Sequence, residues 1–112
     1  MPRYDEGAIR LCDQSKRLQA ARCFGLVLEC VPARVARVVT EALTIPTIGI
    51  GAGAGTDGQV LVLPDLLGFD PRFSPKLVKK YCDGFDVVNR AINAYATDVK
   101  QGHFPSEKHS YS

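Results

Sequence analysis

The chain has 112 residues, a formal net charge of +2, 46% hydrophobic residues and 23% charged residues. This is the composition of one ordinary globular domain, and it argues against a disordered or collagen-like chain. The small charge, scattered among acids, predicts no nucleic-acid partner, and no apolar run approaches the ~20 residues that a membrane span needs.

The first half of the chain alternates helical and strand patterns. Apolar residues recur with a loose helical period over residues 5–22, which predicts a first helix. Residues 24–31 are nearly all apolar and include one acid, Glu29. This pattern predicts a strand covered on both faces, as in a parallel sheet. Pro32 then stands at a natural first helical position, and apolar residues at helical spacing predict a helix over residues 33–43.

Two further strand patterns follow, joined by glycines. Residues 45–50 predict a second buried strand, and residues 51–58 can only form a loop. Residues 59–63 predict a third strand, which ends at Pro64. Residues 53–58 match G-x-G-x-x-G, but the dinucleotide fingerprint requires a helix to begin there. Since a strand pattern follows, we interpret the glycines as permitting a tight turn.

Helical patterns return toward the carboxyl end. Ser74 and Pro75 predict a short helix through about residue 82, and Asp86 begins a longer helix that stops at Gly102. The tail, residues 103–112, is expected to be extended. Alternating helices and doubly apolar strands predict the α/β class with a parallel sheet. Three strands leave two edges unpaired, and a complete (β/α)8 barrel needs ~250 residues, so one incomplete domain over residues 1–112 is expected.

Glu29 is the most informative single residue. A carboxylate at the carboxyl end of a buried strand is costly unless it is paired or used, and catalytic groups gather at that end of parallel sheets. Two interpretations stay open on position alone: a general base, or an ion pair with an Arg or Lys. Asp65, after the third strand, fits a turn or helix cap better than a catalytic role, and Asp57 fits a turn.

Cysteines and histidines give no sign of a metal centre or a disulfide framework. The four cysteines are Cys12, Cys23, Cys30 and Cys82, and they lack C-x-x-C spacing. Three of them lie in apolar or helical patterns typical of small buried hydrophobes. Residues 1–7 show no signal or transit pattern, so a reduced, intracellular setting is expected. His103 and His109 lie in the polar tail without the spacing of a metal motif, so no metal ligand is predicted.

Several segments in one register resemble a known enzyme family. Residues 26–32 (LVLECVP), 45–53 (IPTIGIGAG) and 57–62 (DGQVLV) resemble the last third of the ketopantoate hydroxymethyltransferases, and the tail around residues 104–110 is similar to their carboxyl terminus. Pro64 stands where the family usually has His. The resemblance implies the C-terminal part, about three βα units, of a (β/α)8 TIM barrel with parallel strands.

The resemblance also implies a reaction. The family transfers a hydroxymethyl group from 5,10-methylenetetrahydrofolate to 3-methyl-2-oxobutanoate, giving 2-dehydropantoate for pantothenate and coenzyme A biosynthesis. The catalytic base of its L-V-L-E-C-V-P motif corresponds to Glu29, which would remove a proton from C3 of the keto acid. Ile50, Val60 and Val62 are expected to line the apolar side of the pocket. The 2-oxo acid chelates Mg²⁺, whose ligands lie on earlier strands of the family that these residues do not include.

The resemblance leaves two hypotheses for the chain itself. In the first it is a piece of the transferase that is inactive alone, completed by an N-terminal half or assembled as a homo-oligomer, with the 2-oxo acid and the folate as its small-molecule partners. In the second it is a non-catalytic module that associates with a full-length homologue. A cytoplasmic location is expected, or a mitochondrial one if the chain is eukaryotic, and neither a nucleic acid nor a membrane is an expected partner.

Overall fold

The computed structural model describes residues 5–112, which form two compact units. The first, which we call the sheet unit, contains the described residues through Val62 together with Pro75–Val78. The second, the C-terminal unit, contains Leu63–Ser74 and Lys79–Ser112. In the described part of the chain, no helix is long and apolar enough to cross a bilayer.

The two helices of the sheet unit occupy the segments predicted from the periodicity. Helix α1 spans Glu6–Ala20 and helix α2 spans Ala33–Ala42. Asp5 begins α1, because its carboxylate accepts a hydrogen bond from the backbone N–H of Ala8 at 2.8 Å. Pro32 begins α2 with φ −52°, a value already suited to a helix.

The carboxyl end of α1 places an arginine in a conformation that favours glycine. Arg22 has φ 73°, and its N–H donates to the carbonyl of Gln19 at 3.0 Å, as in a Schellman motif. The left-handed region costs a residue with a Cβ about 1 kcal/mol. We therefore expect Arg22→Gly to raise the free energy of unfolding by about 0.5–1 kcal/mol, measured by urea denaturation. Arg22→Ala removes the same charge but keeps the Cβ, and an equal gain in that control would contradict the explanation.

The three strands form a parallel sheet, as predicted. Strand β1 spans Leu26–Glu29, β2 spans Thr47–Ile50 and β3 spans Gly58–Gln59, in the order β1-β2-β3. Both neighbouring pairs are parallel. The β-strand after the glycine loop confirms that no helix begins there, so the loop lacks the context of a dinucleotide site.

The third strand is shorter than predicted. The ladder continues past Gln59 by one hydrogen bond, from the Val60 N–H to the Gly49 carbonyl at 3.0 Å. Instead of extending β3 to residue 63, the chain forms a short helix, α3, over Leu63–Leu66. Pro64 lies in its first turn, where a missing backbone N–H loses no helical hydrogen bond. The prediction of a strand over residues 59–63 is therefore wrong beyond its first residues.

The two faces of the sheet have different surroundings. On one face Leu28 packs against Ala36 and Val39 of α2, with Leu43 and Ala52 completing this buried core. On the other face, Val27 is 61% exposed. The register pairs Val27 with Ile48 and Glu29 with Ile50, so these side chains share that second face. We call it the open face; it comprises Val27, Glu29, Ile48, Ile50 and, by continued alternation, Val60.

In the C-terminal unit, α4 spans Gly84–Lys100 and confirms the longer predicted helix. The predicted helix over residues 74–82 does not form. Pro75–Val78, which belong to the sheet unit, make a single turn that is closed by the Val78 N–H on the Pro75 carbonyl at 3.0 Å. Further on, the Tyr81 N–H donates at 2.8 Å to the carbonyl of Leu66, a non-local bond that replaces helical pairing. The tail is not fully extended either, since Glu107–His109 form a 3₁₀ turn.

The cysteines are free thiols, and the prediction that most of them are buried is wrong. Cys12 and Cys23 are half-buried, whereas Cys30 and Cys82 are exposed. Cys30 follows the end of β1 with φ 53°, where the chain turns away from the sheet. Cys82 lies in the irregular segment before α4, where its thiol donates to the carbonyl of Leu67 at 3.2 Å.

Candidate active site

Glu29 occupies the carboxyl end of β1, on the open face. Its partner in the register is Ile50, the last residue of β2, and the Cys30 N–H donates to the Ile50 carbonyl at 2.9 Å. This bond holds the two strand ends together. The Glu29 residue is exposed, and within residues 5–112 it forms no ion pair. The described part of the chain therefore does not provide the cation that an ion-pair role would need, and its role as a base stays a prediction.

The three predicted pocket residues are placed differently. Ile50 is half-buried beside Glu29. Val60 directly follows β3 and lies next to Ile50 on the open face. Val62 lies beyond the strand, in the segment that leads into α3, and is 51% exposed. The structure thus brings Ile50 and Val60 to the edge that carries Glu29. The sheet does not fix the direction of Val62, because the alternation of a strand no longer applies there.

The glycine loop is anchored to the amino end of β2 by Asp57. Its carboxylate accepts a hydrogen bond from the backbone N–H of Thr47 at 2.8 Å, and the fully buried Thr47 hydroxyl bonds to that of Thr40 at 2.8 Å. These contacts support the interpretation of Asp57 as a turn residue. Gly53 has φ 76°, and a Cβ there would lie 2.5 Å from the Cβ of Ala33, so the glycine permits close approach of the loop to α2.

A cavity of about 540 Å³ lies at the same edge of the sheet, on its helical side. We call it the rim cavity. It is lined by the first turns of α1, by the residues that follow Glu29 and by the start of α2, including the polar or charged Asp5, Arg10, Gln14, Cys30 and Arg34. No local sequence pattern marks this cavity, because its two arginines lie 24 residues apart and only the packing of α1 beside α2 brings them to one cavity.

Metal ligands were not predicted within this chain. In the described residues, no group of three or more His, Cys, Asp or Glu side chains is arranged to hold a metal ion. Asp65 lies in α3 rather than directly after a strand, and its carbonyl accepts the Gly68 N–H at 3.2 Å. It therefore belongs to a local helical turn in the C-terminal unit.

Comparison with known proteins gives a consistent family. The profile described as Ketopantoate hydroxymethyltransferase matches residues 2–107. A 3-methyl-2-oxobutanoate hydroxymethyltransferase of Francisella tularensis subsp. tularensis is 51% identical over 109 residues, which are 97% of this chain and 41% of the relative. The enzyme of that name from Nitratidesulfovibrio vulgaris is 54% identical over 109 residues, 97% of this chain and 36% of the relative. The chain thus spans about two fifths of the curated relatives it matches.

Proposed function

Because the chain belongs to the ketopantoate hydroxymethyltransferase family, we propose that it supplies the carboxyl-terminal strands, and the catalytic base, of an enzyme that transfers a hydroxymethyl group to 3-methyl-2-oxobutanoate. The one-carbon donor is 5,10-methylenetetrahydrofolate, and the product is 2-dehydropantoate. The proposed whole is a (β/α)8 barrel, of which these residues contribute three parallel strands.

The open face is the observation that carries this proposal. In a (β/α)8 barrel each strand packs helices on its outer face and other strands' side chains on its inner face. Leu28 is buried on the helical side, whereas Val27, next to it in β1, is 61% exposed on the other. Apolar side chains on an uncovered sheet face call for further polypeptide. We propose that strands outside these residues cover the open face and complete the barrel.

The proposed chemistry begins at Glu29. Its carboxylate, at the carboxyl end of β1, accepts the proton from C3 of the keto acid, which leaves an enolate as the carbon nucleophile. Ile50 and Val60 lie beside it on the open face and offer apolar surface to the branched alkyl group of the substrate. We also propose Val62 as a pocket residue, because it lies in the segment that continues directly from β3 and Val60.

Magnesium does not fit the residues described for this chain. The described carboxylates form no group able to hold it, so we propose that the ligands of Mg²⁺ belong to polypeptide outside residues 5–112. We propose that most of the residues that bind the keto acid also belong to polypeptide outside residues 5–112. We therefore expect the isolated chain to present Glu29 as a base but to lack the Mg²⁺ that would make the C3 proton of the keto acid more acidic.

Reconstitution tests the proposal. We expect the isolated chain, supplied with both substrates and Mg²⁺, to show no turnover. Mixing it with the part of the Francisella relative that precedes the matched region is expected to give Mg²⁺-dependent formation of 2-dehydropantoate. That N-terminal part alone is the control. Turnover by the isolated chain would contradict the division of the site, and a soluble mixture without activity would contradict the proposed function.

A second candidate is a non-catalytic module that associates with a full-length homologue. It is favoured by an apolar stripe on α4 whose members are all roughly half exposed: Val88, Ile92, Tyr95 and Val99. Such a stripe fits contact with another helix, and it also fits a homo-oligomer of the completed enzyme. Co-purification with a full-length homologue, without activity when the N-terminal part is supplied, would favour the module.

A further inference from the structure

We propose that the rim cavity binds the anionic glutamate tail of the folate co-substrate. This inference rests on the proposed function, because it assumes that a folate carries the one-carbon unit. The cavity lies where such a tail could reach it. Cys30, which lines the cavity, directly follows Glu29, so the cavity and the proposed base occupy the same strand end.

The charges of the cavity favour an anion with more than one carboxylate. Arg10 lies in the second turn of α1, Arg34 lies in the first turn of α2, and both line the cavity. The described carboxylate in the lining, Asp5, already accepts the N–H of Ala8 at 2.8 Å. An arginine binds a carboxylate through two parallel N–H bonds, so two arginines at one cavity fit the spaced carboxylates of a glutamate chain.

The remaining lining fits the group that joins a pterin to its glutamates. The lining also includes the apolar side chains of Leu11, Val31 and Val35, which can pack against a p-aminobenzoyl ring. A volume of about 540 Å³ is within the ordinary range for small-ligand sites. The one-carbon unit would lie by Glu29 on the open face, and the p-aminobenzoyl group would cross the edge of the sheet to the cavity.

Equilibrium dialysis of the isolated chain tests this assignment without turnover. The probes are p-aminobenzoyl-triglutamate, p-aminobenzoyl-monoglutamate and p-aminobenzoate. We expect affinity to rise with the number of glutamates. Arg10→Gln and Arg34→Gln should each weaken binding of the triglutamate about fivefold or more, since each removes one exposed charge-assisted contact.

Arg17→Gln is the matched control. It removes the same charge from the same helix, two turns away, at a residue that does not line the rim cavity. We expect triglutamate affinity within about twofold of the unsubstituted chain. Circular dichroism of all three variants checks that α1 and α2 remain folded.

Three results would overturn the inference: no triglutamate binding by the unsubstituted chain, an equal loss in Arg17→Gln, or competition by inorganic phosphate as strong as by the monoglutamate, which would indicate a general anion site. The proposed function fails separately. An active reconstituted enzyme with no tail binding at the cavity would overturn only this inference, whereas tail binding with an inactive reconstituted enzyme would contradict the proposed function.

Discussion

Glu29→Gln is expected to lower the turnover of the reconstituted enzyme by about 10²–10⁴-fold, the usual contribution of a positioned general base. The amide has nearly the shape of the carboxylate but cannot accept the proton from C3. The carboxylate forms no ion pair among residues 5–112 and the residue is exposed, so the substitution should change the free energy of unfolding by no more than about 0.5 kcal/mol. Loss of rate would then be a chemical effect rather than unfolding.

Two measurements separate proton removal from the later step. Exchange of the C3 proton of 3-methyl-2-oxobutanoate in D₂O, followed by NMR, reports the base without any folate, and product formation reports the complete reaction. We expect both to fall together in Glu29→Gln. Glu41→Gln, an exposed glutamate near the end of α2, is the charge-matched control and should leave both rates unchanged. Exchange that survives in Glu29→Gln would remove the base from this residue.

The regular parts of the sheet unit could be predicted because local patterns determine them. The helical period over residues 33–43 matches α2, and the apolar runs match β1 and β2 in order and direction. The same runs predicted two covered faces, of which the described residues cover one. An apolar side chain such as Val27 indicates that something covers this face. The local sequence does not show whether the covering residues lie within this chain or outside it.

Errors in the prediction occurred where non-local hydrogen bonds decide the structure. The Ser74-Pro75 pair favours a helix, yet the chain beyond it bonds to Leu66 through Tyr81. Residues 59–63 have the composition of a strand, but only Gln59 and Val60 pair with β2, and α3 begins at Leu63. The rim cavity is likewise formed by contacts that no local pattern encodes. Its arginines belong to two helices, and only tertiary packing brings them together.

Val27→Asp is expected to prevent reconstitution while leaving the sheet unit folded. Val27 is 61% exposed in the isolated chain, so the substitution should cost about 1 kcal/mol or less, mainly through lower strand propensity. In a completed barrel the same side chain would be covered by other strands, where an unpaired carboxylate is strongly disfavoured. We expect the affinity for the N-terminal part to fall about 100-fold or more, measured by titrating that part against recovered activity.

Two neighbouring substitutions make the result specific to the open face. Val27→Thr keeps the β-branched shape and adds a hydroxyl, which is much less costly to bury than a carboxylate, so affinity should stay within about tenfold of the unsubstituted chain. Leu28→Ala lies one residue along β1, on the face already buried against α2, and should cost about 2–5 kcal/mol of stability in the isolated chain. The expected contrast is loss of assembly at residue 27 and loss of folding at residue 28. If Val27→Asp assembled as tightly as the unsubstituted chain, no other strand would cover the open face and the completed barrel would be ruled out.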